Sequence, residues 1–205
     1  MLEVGCGTGF VLAALRAAFP SVELGGSELF EEGLEIARAR VPDVKLFAMD
    51  VTAPETTEQW DVVGAFDVLE HIDDDEAALA GMRGLTSAGG GMVLLVPQHP
   101  RLWSRADEFA HHRRRYTKTG LRRKVERAGL RVVASTSFVT TLLPALLASR
   151  LVRSRGDAPY DLASELVPAR PLNRLFELLL DGERIAIERG LSLPVGGSLL
   201  MVARR

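Results

Sequence analysis

Three glycines at alternate positions stand near the start of the chain, in Leu2-Glu3-Val4-Gly5-Cys6-Gly7-Thr8-Gly9. An apolar triplet precedes them and a helical pattern follows. Glycine has no Cβ and tolerates positive φ, so such a turn lets a ligand approach the backbone closely. The helix beyond it presents unpaired N–H groups. Two acids, Glu28 and Asp50, end the next two strand patterns. A carboxylate about 20 residues after the turn can accept both ribose hydroxyls. One at the end of the third strand can reach an adenine exocyclic amine. Together these positions offer one nucleoside site. The spacing is G-x-G-x-G, not the G-x-G-x-x-G of dinucleotide binders, and no G-x-x-x-x-G-K-[ST] occurs. A P-loop is therefore excluded by motif. A nicotinamide-dependent oxidoreductase of Rossmann type stands as the alternative, with the spacing against it.

The second group of reactive residues lies downstream. All four histidines, His71, His99, His111 and His112, follow the fourth or fifth strand pattern. An imidazole at that edge can serve as a general base near neutral pH. His71 is the first candidate, with Glu70 to orient it. The run His111-His112-Arg113-Arg114-Arg115-Tyr116 is the second. There His111 can act as base, Tyr116 can donate to a substrate oxygen, and arginines can clamp a carboxylate or phosphate. Glu70 and His71 alone do not form a recognisable ligand set, so no metal is expected.

These residues need elements to hold them. Strands are expected over 2–4, 22–28, 44–49, 60–69, 92–96, 131–139 and 198–203, and helices over 8–19, 29–40, 73–86, 117–128, 142–152 and 172–189. The segment 153–159, RSRGDAP, reads as a loop. Alternation of this kind implies an α/β fold with a mostly parallel sheet covered on both faces. A single domain is expected, with 1–139 as the cofactor-binding core, 140–197 as a helical substrate region and 198–205 as the last strand.

The segment LEVGCGTG resembles the first motif of the class I S-adenosylmethionine-dependent methyltransferases. Glu28 and Asp50 fall where that family keeps its ribose-binding and adenine-binding acids. The stretch WDVVGAFDVLEH, 60–71, resembles the family's fourth-strand motif, above all in the ubiquinone-type O-methyltransferase branch with its similar L-E-H ending. The turn Ala88-Gly89-Gly90-Gly91 and the final strand also fit. The resemblance implies a doubly wound, Rossmann-like, three-layer sandwich on a seven-stranded sheet with an antiparallel last strand. It implies S-adenosylmethionine as cofactor, met by Glu3, Gly5, Cys6, Gly7, Gly9, Glu28, Leu29, Asp50, Val51 and Phe66. It also implies methyl transfer to a small-molecule or lipid-linked acceptor, at oxygen. A non-catalytic binder of the same cofactor is a further alternative. The family's usual helical segment before strand one is not among these 205 residues, which implies lower stability and weaker cofactor retention.

Composition sets the remaining bounds. A length of 205 residues suits one domain. Twenty-five basic against 27 acidic residues leave a formal charge of −2, with no global pull towards nucleic acid. One cysteine, Cys6, rules out an internal disulfide and favours a reducing, cytoplasmic setting. The apolar helices over 142–152 and 172–180, flanked by arginines, suit peripheral contact with an anionic membrane surface or a homodimer interface.

Overall fold

The computed structural model describes residues 1–153 and 170–205. Seven strands form one sheet: β1 (Leu2–Val4), β2 (Gly25–Glu28), β3 (Lys45–Ala48), β4 (Trp60–Phe66), β5 (Thr86–Pro97), β6 (Arg131–Phe138) and β7 (Ser198–Arg204). Their order is β3-β2-β1-β4-β5-β7-β6. All neighbours from β3 through β5 are parallel, and β7 runs antiparallel to both β5 and β6. This is the doubly wound sheet expected from the alternating pattern.

The helices are α1 (Phe10–Ala18), α2 (Glu31–Arg40), α3 (Asp75–Leu85), α4 (Arg105–Phe109), α5 (Lys118–Arg127), α6 (Leu143–Arg153) and α7 (Arg170–Glu188). Their apolar stripes explain the layers. Leu12, Leu34 and Val41 of the α1–α2 side gather with Cys6 and Leu24. Ala78, Leu79, Met82, Leu121 and Val125 from α3 and α5 pack with Val63, Met92, Leu94 and Met201 of the strands in a larger cluster. Leu2, Val63, Leu79 and Met92 are wholly buried, so the central strands hold the core. Burying each such side chain stabilises the fold by about 1.5–3 kcal/mol.

The second strand begins at Gly25 rather than 22, because the Val22 N–H closes a turn on the Phe19 carbonyl, and two further strand boundaries depart from the expected ones for a physical reason. The fourth strand ends at Phe66 rather than 69, because Asp67 takes a left-handed backbone, φ 53°, and turns the chain out of the sheet. Leu69–His71 then form a 3-10 turn. The fifth strand begins at Thr86, six residues early, since Thr86 already pairs with Trp60; residues 87–90 then bulge out, and the ladder resumes at Gly91, which pairs with both Val62 and Arg204. The expected loop at 153–159 lies, beyond Arg153, outside the described residues.

The strand order reverses between β1 and β4, and in open α/β sheets that switch point is where ligands bind. Gly5 leaves β1 at φ 66°. A Cβ there would stand 2.7 Å from both Cγ atoms of Val68, which leaves β4. Gly5→Ala is therefore expected to cost about 1–3 kcal/mol, from backbone strain and this contact together. Urea denaturation followed by far-UV circular dichroism checks it; an unchanged midpoint would contradict the placement of Gly5.

Candidate active site

At the carboxyl ends of β1 to β4 lies a cleft of about 520 Å³. Its walls include Gly5, Glu28, Leu29, Asp50, Val51, Asp67 and His71. The glycine turn and both strand-end acids thus meet in one place. Gly5, Gly7 and Gly9 all adopt positive φ, which explains the alternate glycines. Glu28 binds the turn directly. One of its oxygens accepts the Gly7 N–H at 2.9 Å, and the other accepts the N–H of Leu29 at 2.8 Å and of Phe30 at 3.3 Å. Asp50 accepts the Thr52 N–H and hydroxyl on one oxygen, at 2.8 and 2.7 Å. Those two bonds hold its carboxyl below the ordinary range and leave its second oxygen for a ligand.

Glu3 and Cys6 sit behind the turn rather than in the cleft wall. Glu3 is buried, and one of its oxygens has no partner among the described residues. Burial pushes its carboxyl up to about 8. Cys6 is buried too, and its thiol is pushed up to about 12 by burial and by the Glu3 and Glu28 carboxylates. Phe66, expected at the cleft, is not among its lining residues; Asp67 and Val68 stand there instead. Sequence reading passed over Asp67, Phe30, Met49 and Thr52, each of which lines the site. A strand-end acid directly after the fourth-strand motif was the available signal for Asp67. The cleft walls keep water from this carboxyl and raise it, with His112 and Arg115 offsetting the effect.

The 3-10 turn gives its two ionisable residues different surroundings. His71 lines the cleft, while Glu70 is wholly buried and neither of its oxygens has a hydrogen-bond partner among the described residues. Burial pushes Glu70 up to about 8. His71 is lowered, first by burial and then by His112 and His111. The ring of His112 stands edge-on to His71, with centroids 4.8 Å apart. One Glu70 oxygen and a nitrogen of each ring lie within 4.8 Å of one another. Sequence spacing alone does not bring His112 to this place.

The rest of the second group does not reach the cleft wall. His111 is exposed, at φ 57°. Tyr116 is buried, and its hydroxyl donates to Asp75 at 2.8 Å and to the Leu69 carbonyl at 3.1 Å. Burial and the Asp75 carboxylate raise its pKa, so it serves as an internal strut instead of the expected substrate donor. The three arginines pair with the protein's own acids: Arg113 with Asp73, Arg114 with Asp75, Arg115 with Asp107. Burial alone would raise Asp75, but Lys124, Tyr116 and Arg114 outweigh it and hold it low. This segment braces the turn after β4, and the Arg113 N–H donates to the Glu70 carbonyl at 2.7 Å.

Comparison with known proteins follows the same lines. A family model described as a methyltransferase domain matches residues 1–135, about two thirds of the chain. The chain belongs to that family. Among curated relatives, a trans-aconitate 2-methyltransferase of Methylobacterium radiotolerans is 33% identical over 99 residues, covering 48% of this chain and 38% of its own. A ubiquinone biosynthesis O-methyltransferase of Bordetella bronchiseptica is 29% identical over 96 residues, 44% of this chain and 39% of its own. These matches thus span about two fifths of the length of those relatives. A crystal structure of an S-adenosylmethionine-dependent methyltransferase from Mesorhizobium loti superposes with a TM-score of 0.65 at 16% identity, covering all of this chain and 90% of that one. That likeness shows the fold.

The raised carboxyls of Glu3 and Glu70 set a pH dependence. Each binds its proton more tightly when folded, so its contribution is complete below the unfolded value of 4.5 and is lost as pH rises through about 8. The midpoint of thermal unfolding should fall as pH rises from about 5 to about 8, and Glu70→Gln should flatten that decline. A midpoint that rises over this window would contradict the two burial assignments.

Proposed function

We propose that the chain transfers a methyl group from S-adenosylmethionine to a small-molecule or lipid-linked acceptor, at oxygen. The observation that supports this most is the meeting of Gly5, Glu28 and Asp50, from three successive strand ends, in one cleft. The residues present suit the cofactor. Glu28 still has acceptor lone pairs for ribose hydroxyls, and Asp50 has an oxygen left for an adenine amine. Glu3, buried next to the turn with an unpartnered oxygen, suits an ammonium group. When bound, S-adenosylmethionine supplies the electrophilic methyl group. The chain contributes position, and holding the acceptor in line can account for much of the barrier.

An acceptor hydroxyl must lose its proton as it is methylated. His71 lines the cleft, and its lowered pKa keeps it neutral with a lone pair at pH 7. Both features support reading it as the group that takes that proton. The preference for oxygen leans on the O-methyltransferase relatives. The lipid-linked option leans on α7, where Leu172, Leu175 and Leu178 are exposed. No helix among the described residues is long and apolar enough to cross a membrane.

Calorimetry with S-adenosylmethionine and with NAD tests the cofactor half. Binding is expected for the first alone, and Glu28→Ala should weaken it by about tenfold or more, the scale of a lost hydrogen bond to a charged group. Equal affinity in the variant, or preference for NAD, would overturn the reading. The chemical half calls for labelled methyl donor and a panel of phenols, carboxylic acids, amines and quinol lipids. His71→Ala should cut turnover about 100-fold with cofactor affinity retained. Binding without transfer to any acceptor class would favour a non-catalytic role.

A further inference from the structure

The His71 backbone N–H donates to the Val68 carbonyl at 3.0 Å, but among the described residues its ring makes no hydrogen bond, and the His112 ring stands edge-on to it at 4.8 Å. His112 itself is firmly held. Its Nδ1 lies 3.0 Å from Oδ1 of Asp107, and its backbone N–H donates to the Asp107 carbonyl at 2.9 Å. Asp107 is 1% exposed, and it also accepts Arg115 Nε at 2.6 Å and the Ser104 N–H and hydroxyl at 2.8 and 3.1 Å. We propose that Asp107 is a positioning residue for the cleft: it fixes His112 as the Nδ1–H tautomer, and the fixed His112 ring sets the orientation in which His71 meets the acceptor.

The chemistry follows from the groups themselves. An ionised carboxylate offers acceptors only, so the nitrogen facing it must carry the hydrogen. Burial alone would raise Asp107, but Arg115, His112 and Ser104 outweigh it and keep it charged. With Nδ1 protonated and bonded, the ring cannot flip without breaking a charge-assisted bond. The lone pair is then confined to Nε2. The chain of contact runs from α4 through Asp107 and His112 to His71 at the cleft wall. A histidine held by a carboxylate on its far nitrogen is the arrangement by which tautomer and ring angle are set in acid–base sites generally. This inference rests on the reading of His71 as the acceptor-facing base, but its first test does not need an acceptor.

That test is long-range 1H–15N imidazole spectroscopy on the full 205-residue chain, with Asp107→Asn and His112→Ala for comparison. His112 should show the Nδ1–H tautomer in the wild type and a mixture in Asp107→Asn. The His71 ring signals should move in both variants, towards those of a freely rotating imidazole in His112→Ala. Calorimetric affinity for S-adenosylmethionine should stay within about twofold of wild type, since neither residue lines the cofactor cleft. A wild-type His112 in the Nε2–H form, or His71 signals unmoved in both variants, overturns the proposal. Should Asp107→Asn fail to fold, His112→Ala decides alone. Where the acceptor panel yields a substrate, Asp107→Asn should lower kcat about tenfold or more with the cofactor KM unchanged, and Asp107→Glu should restore part of it. Loss of global stability alone would leave the His71 signals of the folded fraction in place.

Discussion

A single carboxylate ties the site together. Glu28 ends β2, yet one of its oxygens bonds to the Gly7 N–H in the turn that leaves β1. Its other oxygen bonds to the first N–H groups after its own strand. This fixes the two strand ends relative to each other and holds an anion at the mouth of the glycine turn. The turn can adopt the required path only because Gly5, Gly7 and Gly9 accept left-handed backbone. The sheet order then supplies the opposite wall, since β4 lies next to β1 on the far side of the switch point. Everything else in the cleft is placed against this frame.

The second half of the molecule turns its charges inward. The basic run 113–115 reads from sequence as a clamp for an anionic substrate. In three dimensions each of its arginines meets an acid of the protein. Asp75, Lys124, Arg114 and Tyr116 form one buried or half-buried network between α3 and α5. Truncating one member of such a network leaves another polar group unsatisfied, which is costly in a low-dielectric setting. The segment after β5 is thereby locked to the turn after β4, and the histidine pair is brought to the cleft edge. The positive charge of this run is therefore spent on the protein's own acids.

Much of this was legible in the residue order, and the omissions have causes. Strand-to-glycine-to-helix transitions and strand-end acids are local patterns, so Gly5, Glu28 and Asp50 were within reach of sequence reasoning. The alternation of elements likewise pointed to the parallel sheet. Whether an ionisable side chain faces a cleft or a core depends on backbone direction at one residue. Asp67, at φ 53°, decides that His71 faces the cleft while Glu70 is buried. From its neighbours in sequence Tyr116 reads as a donor to substrate, because its true partners, Asp75 and Leu69, lie 41 and 47 residues away. His112 differs from its neighbour His111 by a local contact with Asp107, five residues away, and by the ring contact with the distant His71.

The most direct measurement is a crystal structure of the chain grown with S-adenosylhomocysteine, the cofactor product. Density for the adenosyl group should lie against Gly5, with the ribose on Glu28 and the adenine beside Asp50 and Val51. Ordered density elsewhere on the molecule, with this cleft left to solvent, would contradict the assignment.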